Sequence, residues 1–143
     1  MNPDNRTATE TSSTSSERYC RGLDRLDAVD GPQGLAVAEG LARTFPDFER
    51  YLVEFGFGEI YSRPALALRE REIGTVAALC ALGTARPQLR VHVHAALHVG
   101  CKPAEVVEVV MQMALYAGFP AALNGLAVVR EVFEELGIAL PLA

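Results

Sequence analysis

Residues 68–126, LREREIGTVAALCALGTARPQLRVHVHAALHVGCKPAEVVEVVMQMALYAGFPAALNGL, decide how the chain folds. Gly83, Gly100 and Gly118 stand where helices stop, and Pro87, Pro103 and Pro120 stand where the next ones start. Glycine tolerates the left-handed turn that closes a helix, and proline fits a first turn that needs no N–H. The stretch therefore reads as three helices, 68–82, 87–100 and 103–117, with a fourth running from Pro120 to about Leu136. On the first, Leu68, Val76 and Leu79 recur at helical spacing, and Glu72 falls inside their stripe. On the second, Leu89, Val93 and Ala96 form the stripe, and His92 falls inside it. A carboxylate turned towards a core is costly unless it is paired or protonated. Glu72 and His92 on adjacent inward faces offset each other's cost, either as a buried structural hydrogen bond or as a tuned acid–base pair.

These residues carry a resemblance. The runs REREIGTVAALCALG, HVHAALHVG and AEVVEVVMQMALYAGFPAALN, with FGEIYSRPALALR upstream, resemble the carboxymuconolactone decarboxylase family, whose helical fold is shared with AhpD-type alkylhydroperoxidases. The likeness spans roughly Phe45 to Leu136. It implies an all-α, AhpD-like domain of about six helices that forms closed rings, commonly trimers or hexamers. It also places Glu72 at the superfamily's acidic position and His92 at its active-site histidine. The peroxidase branch carries a CxxC pair seven and four residues before that histidine, where this chain has Ala85 and Gln88. Without those thiols, peroxide reduction by that route is not expected. Gln112 occupies a position where typical decarboxylases carry a histidine, which widens the range of substrates to consider.

Composition narrows the classes further. A chain of 143 residues with 50% hydrophobic content can bury one domain's core. With no Trp and only six Phe and four Tyr, that core must rest on Ala, Val and Leu, which suits closely packed helices. A formal charge of −5 argues against nucleic acid or an anionic membrane as partner. Three cysteines, Cys20, Cys80 and Cys101, make an odd number without paired spacing, as expected in a reducing compartment. No signal-peptide pattern and no membrane span are read, so a cytoplasmic location is expected.

Residues 1–15 are rich in Ser, Thr and Asn and are expected to be a disordered extension, leaving 16–143 as the domain. Thr14 and Glu17 have the form of a capping box for a helix over 17–29, which Gly31-Pro32 ends. Short helices are expected over 35–43 and 46–55, the latter broken by Phe-Gly-Phe-Gly at 55–58. The helix at 103–117 is apolar nearly all round and is expected to be the most buried element, although Lys102 is a poor N-cap.

The catalytic candidates are Glu72 and His92, since an imidazole in a pocket is the side chain most easily tuned near neutral pH. Arg63 and Arg69, with Arg71 nearby, are candidates to hold an anionic substrate, because a guanidinium matches a carboxylate bidentately. Tyr116 and Asn124 bracket the YAGFPAALN segment and could orient a carboxylate or polarise a carbonyl; equally, Tyr116 could fill the core. His94 and His98 are four apart on one helix, a spacing that can bind metal, but no third ligand is evident and no metal or cofactor is expected. Cys80 and Cys101 read as small apolar residues. The resulting expectation is a cofactor-free decarboxylase-like enzyme acting on an unsaturated carboxylated lactone. Another proton-transfer reaction (isomerisation, dehydration or cyclisation) and a non-catalytic helical oligomer are the alternatives.

Overall fold

A computed structural model describes residues 16–142. The expected disorder of 1–15 and the Thr14 cap lie outside them. Six α-helices and one π-helix are present, and among the described residues there is no strand. α1 spans Glu17–Thr44, α2 Pro46–Tyr51, the π-helix Leu52–Ile60, α3 Leu68–Leu82, α4 Arg86–His98, α5 Pro103–Ala117 and α6 Phe119–Glu135. Among the described residues no helix is long and apolar enough to cross a membrane.

Ser16 caps α1 by accepting a hydrogen bond from the Tyr19 amide at 3.1 Å. The helix bends sharply at Gly31, whose φ of 59° and ψ of −152° are non-helical, and Pro32 follows. The break expected at Gly31-Pro32 is thus a kink between two arms rather than a loop between two helices. A second difference lies at Phe-Gly-Phe-Gly, where the chain does not leave helical form. It widens into the π-helix and continues to Ile60. Tertiary contact outweighs the low helix propensity of the glycines here. A Cβ on Gly22 would lie 2.2 Å from the Val53 carbonyl oxygen, and one on Gly58 would lie 2.5 Å from that of Arg18. Both absent side chains let the first arm of α1 and the π-helix touch backbone to backbone.

The punctuation of the second half is as expected, with Gly83 left-handed at the end of α3 and prolines opening α4, α5 and α6. Lys102 provides no strong cap. Instead the Glu105 carboxylate reaches back to accept the Lys102 amide at 2.8 Å and also pairs with Arg69. α3 to α6 close around Val76, Leu89, Val93, Val110, Val132 and Phe133. α5 is not the most buried helix: α6 buries twice as many of its residues. α5 packs mainly on α6 and α3 and barely touches α4, so it buries Val106, Val110 and Met113 and leaves Leu115 79% and Tyr116 78% exposed. A second core, of Leu26, Val29, Ala38, Val53, Phe57 and Ala95, joins α1 and the π-helix to one face of α4.

Candidate active site

The site lies where these two cores meet. Glu72, on the inward stripe of α3, is completely buried. Its Oε1 accepts a hydrogen bond from the Tyr61 hydroxyl at 2.9 Å, and its Oε2 lies 2.8 Å from His92 Nδ1. An ionised carboxylate can only accept, so Nδ1 carries the proton and donates. That orientation leaves Nε2 for the cavity that the imidazole lines. Burial is the strongest single influence on His92 and acts to lower its pKa. Against burial act chiefly the hydrogen bond and then the charge of Glu72, and the imidazole is raised above its ordinary value.

Tyr61, the residue that follows the π-helix, is the second partner of Glu72. Its hydroxyl also lies 2.9 Å from that of Thr75, and the Arg71 guanidinium stacks over its ring at 5.7 Å from the centroid. Burial above all, and then the Glu72 charge, push the phenol pKa upward, so Tyr61 stays protonated and able to donate. Sequence reasoning did not single out Tyr61. The available signal was its place in FGEIYSRPALALR, but helical periodicity says nothing about a residue beyond a helix end.

A cavity of about 330 Å³ opens beside His92, lined by Leu26, Asp30, Leu52, Phe57, Gln88 and Val91 among others. Its walls come from α1, the π-helix and α4, so it is apolar except for Asp30, Gln88 and the imidazole. Asp30, also missed, sits at the kink of α1. Asp30, Glu72 and His92 each place a possible ligand atom within 4.8 Å of the others, the one such group among the described residues. Both Glu72 oxygens are already engaged by Tyr61 and His92, which suits proton transfer better than a cation cage.

The structure brings Glu72 and His92 together but not the other candidates. Arg63 is exposed, and its carbonyl accepts from Arg71 at 2.9 Å. Arg69 is committed to an ion pair with Glu105. Tyr116 and Asn124 are both exposed, Tyr116 on α5 and Asn124 on α6, and Asn124 borders a small crevice with Cys80 and Leu89. None of the four lines the cavity beside His92. The reason is rotational: their spacing put them near the turns marked by glycine and proline, whereas the cavity is closed by α1, which no local pattern ties to α4. His94 points away from His92, towards Glu135 at 3.3 Å, and His98 lies over Gly31, so the pair does not form a shared metal face. Cys80 and Cys101 are buried and free, and both belong to the apolar core.

The family described as Carboxymuconolactone decarboxylase family matches residues 46–131. A 4-carboxymuconolactone decarboxylase of Acinetobacter baylyi is 36% identical over 124 residues, covering 86% of this chain and 92% of that protein. An uncharacterized 15.0 kDa protein of the nqo9-nqo10 intergenic region of Paracoccus denitrificans is 30% identical over 96 residues, covering 66% of this chain and 72% of that protein. With its Glu–His pair on the matched helices, the chain belongs to the carboxymuconolactone decarboxylase family.

Proposed function

We propose that this protein is a decarboxylase that acts on an unsaturated, carboxylated lactone such as 4-carboxymuconolactone, using its own side chains as acid and base. The observation that carries the reading is the buried Tyr61–Glu72–His92 relay ending at an apolar cavity. The name and close coverage of the Acinetobacter relative support the substrate class. When the bond to the carboxylate breaks, carbon dioxide leaves and its electron pair flows into the conjugated carbonyl. In this reading His92 Nε2–H hydrogen-bonds the oxygen that gains charge, and Glu72 stabilises the imidazolium that does so. The apolar walls withdraw the departing carboxylate from water, which favours loss of charge from it. Overall one proton is consumed for each carbon dioxide released.

The test is a double-mutant cycle with 4-carboxymuconolactone as substrate. His92→Ala and Glu72→Gln are each expected to lower kcat by about 10²–10⁴-fold, the usual contribution of acid–base catalysis. The double mutant should be little slower than either single, because residues acting as a unit are strongly non-additive. Full activity in folded His92→Ala protein ends the assignment.

We propose a homo-oligomer, a trimer or hexamer, as its working form. The exposed Leu115, Tyr116, Phe119 and Leu123 at the α5–α6 corner support it, since single chains rarely leave such apolar clusters in water. Light scattering should return a multiple of 15.4 kDa at micromolar concentration; a clean single-chain mass contradicts it. The three free thiols fit the reducing cytoplasm.

A further inference from the structure

Asp30 is in the site, yet the Glu72–His92 pair leaves it without a task. It ends the first arm of α1, and the kink at Gly31 follows it directly. A Cβ on Gly34 would lie 2.3 Å from that of Asp30 and 3.1 Å from its Oδ2, so the glycine leaves the aspartate its space. The carboxyl group then borders the same cavity as His92. Its Oδ1 is buried without a hydrogen-bond partner. A buried carboxylate oxygen without a donor is costly, and the neutral acid is far less so. The charge balance agrees. One imidazolium offsets one carboxylate, and Glu72 already holds that place, so a second anion within 4.8 Å lacks a counter-charge.

We propose that Asp30 is the acid of the reaction, standing in the cavity as a neutral carboxyl group and giving its proton to carbon in the dienolate that loss of carbon dioxide leaves. This rests on the decarboxylase reading above. The carbon–carboxylate bond breaks, carbon dioxide departs, and the electron pair delocalises onto the carbonyl oxygen facing His92. The pair then returns along the conjugated system to form a C–H bond with the Asp30 proton. Asp30 is left as carboxylate, and solvent restores its proton. Division of labour follows: His92 holds the developing oxyanion while Asp30 protonates carbon. A neutral Asp30 also avoids repelling the incoming carboxylate.

The groups that face Asp30 are Glu72 from α3 and His92 and His98 from α4, with Tyr61 behind Glu72. Burial pushes its pKa up to about 6; His92 opposes this, Glu72 reinforces it and His98 opposes it again. A bound anionic substrate pushes it further in the same direction.

The experiment combines kinetics of Asp30→Asn with infrared spectroscopy of the wild-type protein labelled with ¹³C-aspartate. With 4-carboxymuconolactone as probe, folded D30N should lose about 10²–10⁴-fold in kcat. The wild-type fall in kcat as the acid ionises should vanish in D30N, an effect that a packing role does not produce. The labelled wild-type should show a protonated aspartate band at pH near 6, above the ordinary carboxylate range, and D30N should lack it. A wild-type rate in D30N overturns the proposal, and so does the absence of the band, whether or not D30N folds. If wild-type protein leaves 4-carboxymuconolactone untouched, the decarboxylase reading falls by itself, and the band still decides whether the cavity holds a neutral acid.

Discussion

The two halves of the molecule each carry a hollow of similar size and treat it differently. The groove between α5 and α6, of about 370 Å³, is lined by Val107, Leu123, Leu126, Ala127, Val129, Arg130 and Leu140. The cavity beside His92, of about 330 Å³, is lined in part by Asp30, Gln88 and the imidazole. The core under the first is dry, being built from aliphatic residues with Phe133 and two thiols. Among the described residues the three buried acidic side chains, Glu49, Glu54 and Glu72, each draw at least one donor instead from α1, its N-cap or the residue that ends the π-helix. Tyr19 donates to Glu49, Ser16 and Arg18 to Glu54, and Tyr61 to Glu72. Volume therefore does not distinguish a site; ionisable groups held by dedicated partners do.

This contrast can be broken by substitutions that separate stability from rate. The largest effect is expected for Phe133→Ala in the dry half. Its side chain is wholly buried, so truncation should cost about 3–5 kcal/mol in a urea or thermal melt. The molecules that remain folded should keep a near-normal kcat. If kcat falls with stability, the dry core is not separable from the site and the contrast is wrong.

A smaller effect is expected for Tyr61→Phe in the other half, where the order should reverse. The ring and its contact with Phe57 stay, and one donor to Glu72 is lost. A hydrogen bond to a charged group is worth roughly 1.5–3 kcal/mol, so kcat should fall by about 10–150-fold. The carboxylate, freed of that donor, should hold the imidazolium more strongly and move the His92 limb of the pH–rate profile upward. An unchanged profile would show that Tyr61 only fills space.

Much of the pairing at the site was legible because the helix repeat is short-range. Glu72 stands four residues before Val76 and His92 three after Leu89, so each polar group had to face inward if its helix was amphipathic. Asp30 and Tyr61 were not legible for a converse reason. One sits at a kink and the other past a helix end, where no period tells which way a side chain turns. Arg69 was misdirected because its partner, Glu105, lies on another helix at the one point where α5 lacked a conventional cap.

The sequence by itself determined the all-α class, the positions of α3 to α6 and the inward turn of Glu72 and His92. Those follow from glycine, proline and 3.6-residue periodicity, which act within a few residues of one another. Only the tertiary structure decided that the Phe-Gly-Phe-Gly segment stays helical, because its cost is offset by a backbone contact with Gly22 that lies far away in the chain. It alone left one face of α5 in solvent. It alone also laid α1 across His92, bringing Asp30 to the cavity, since a helix–helix crossing is set by side chains distant in sequence and leaves no local mark.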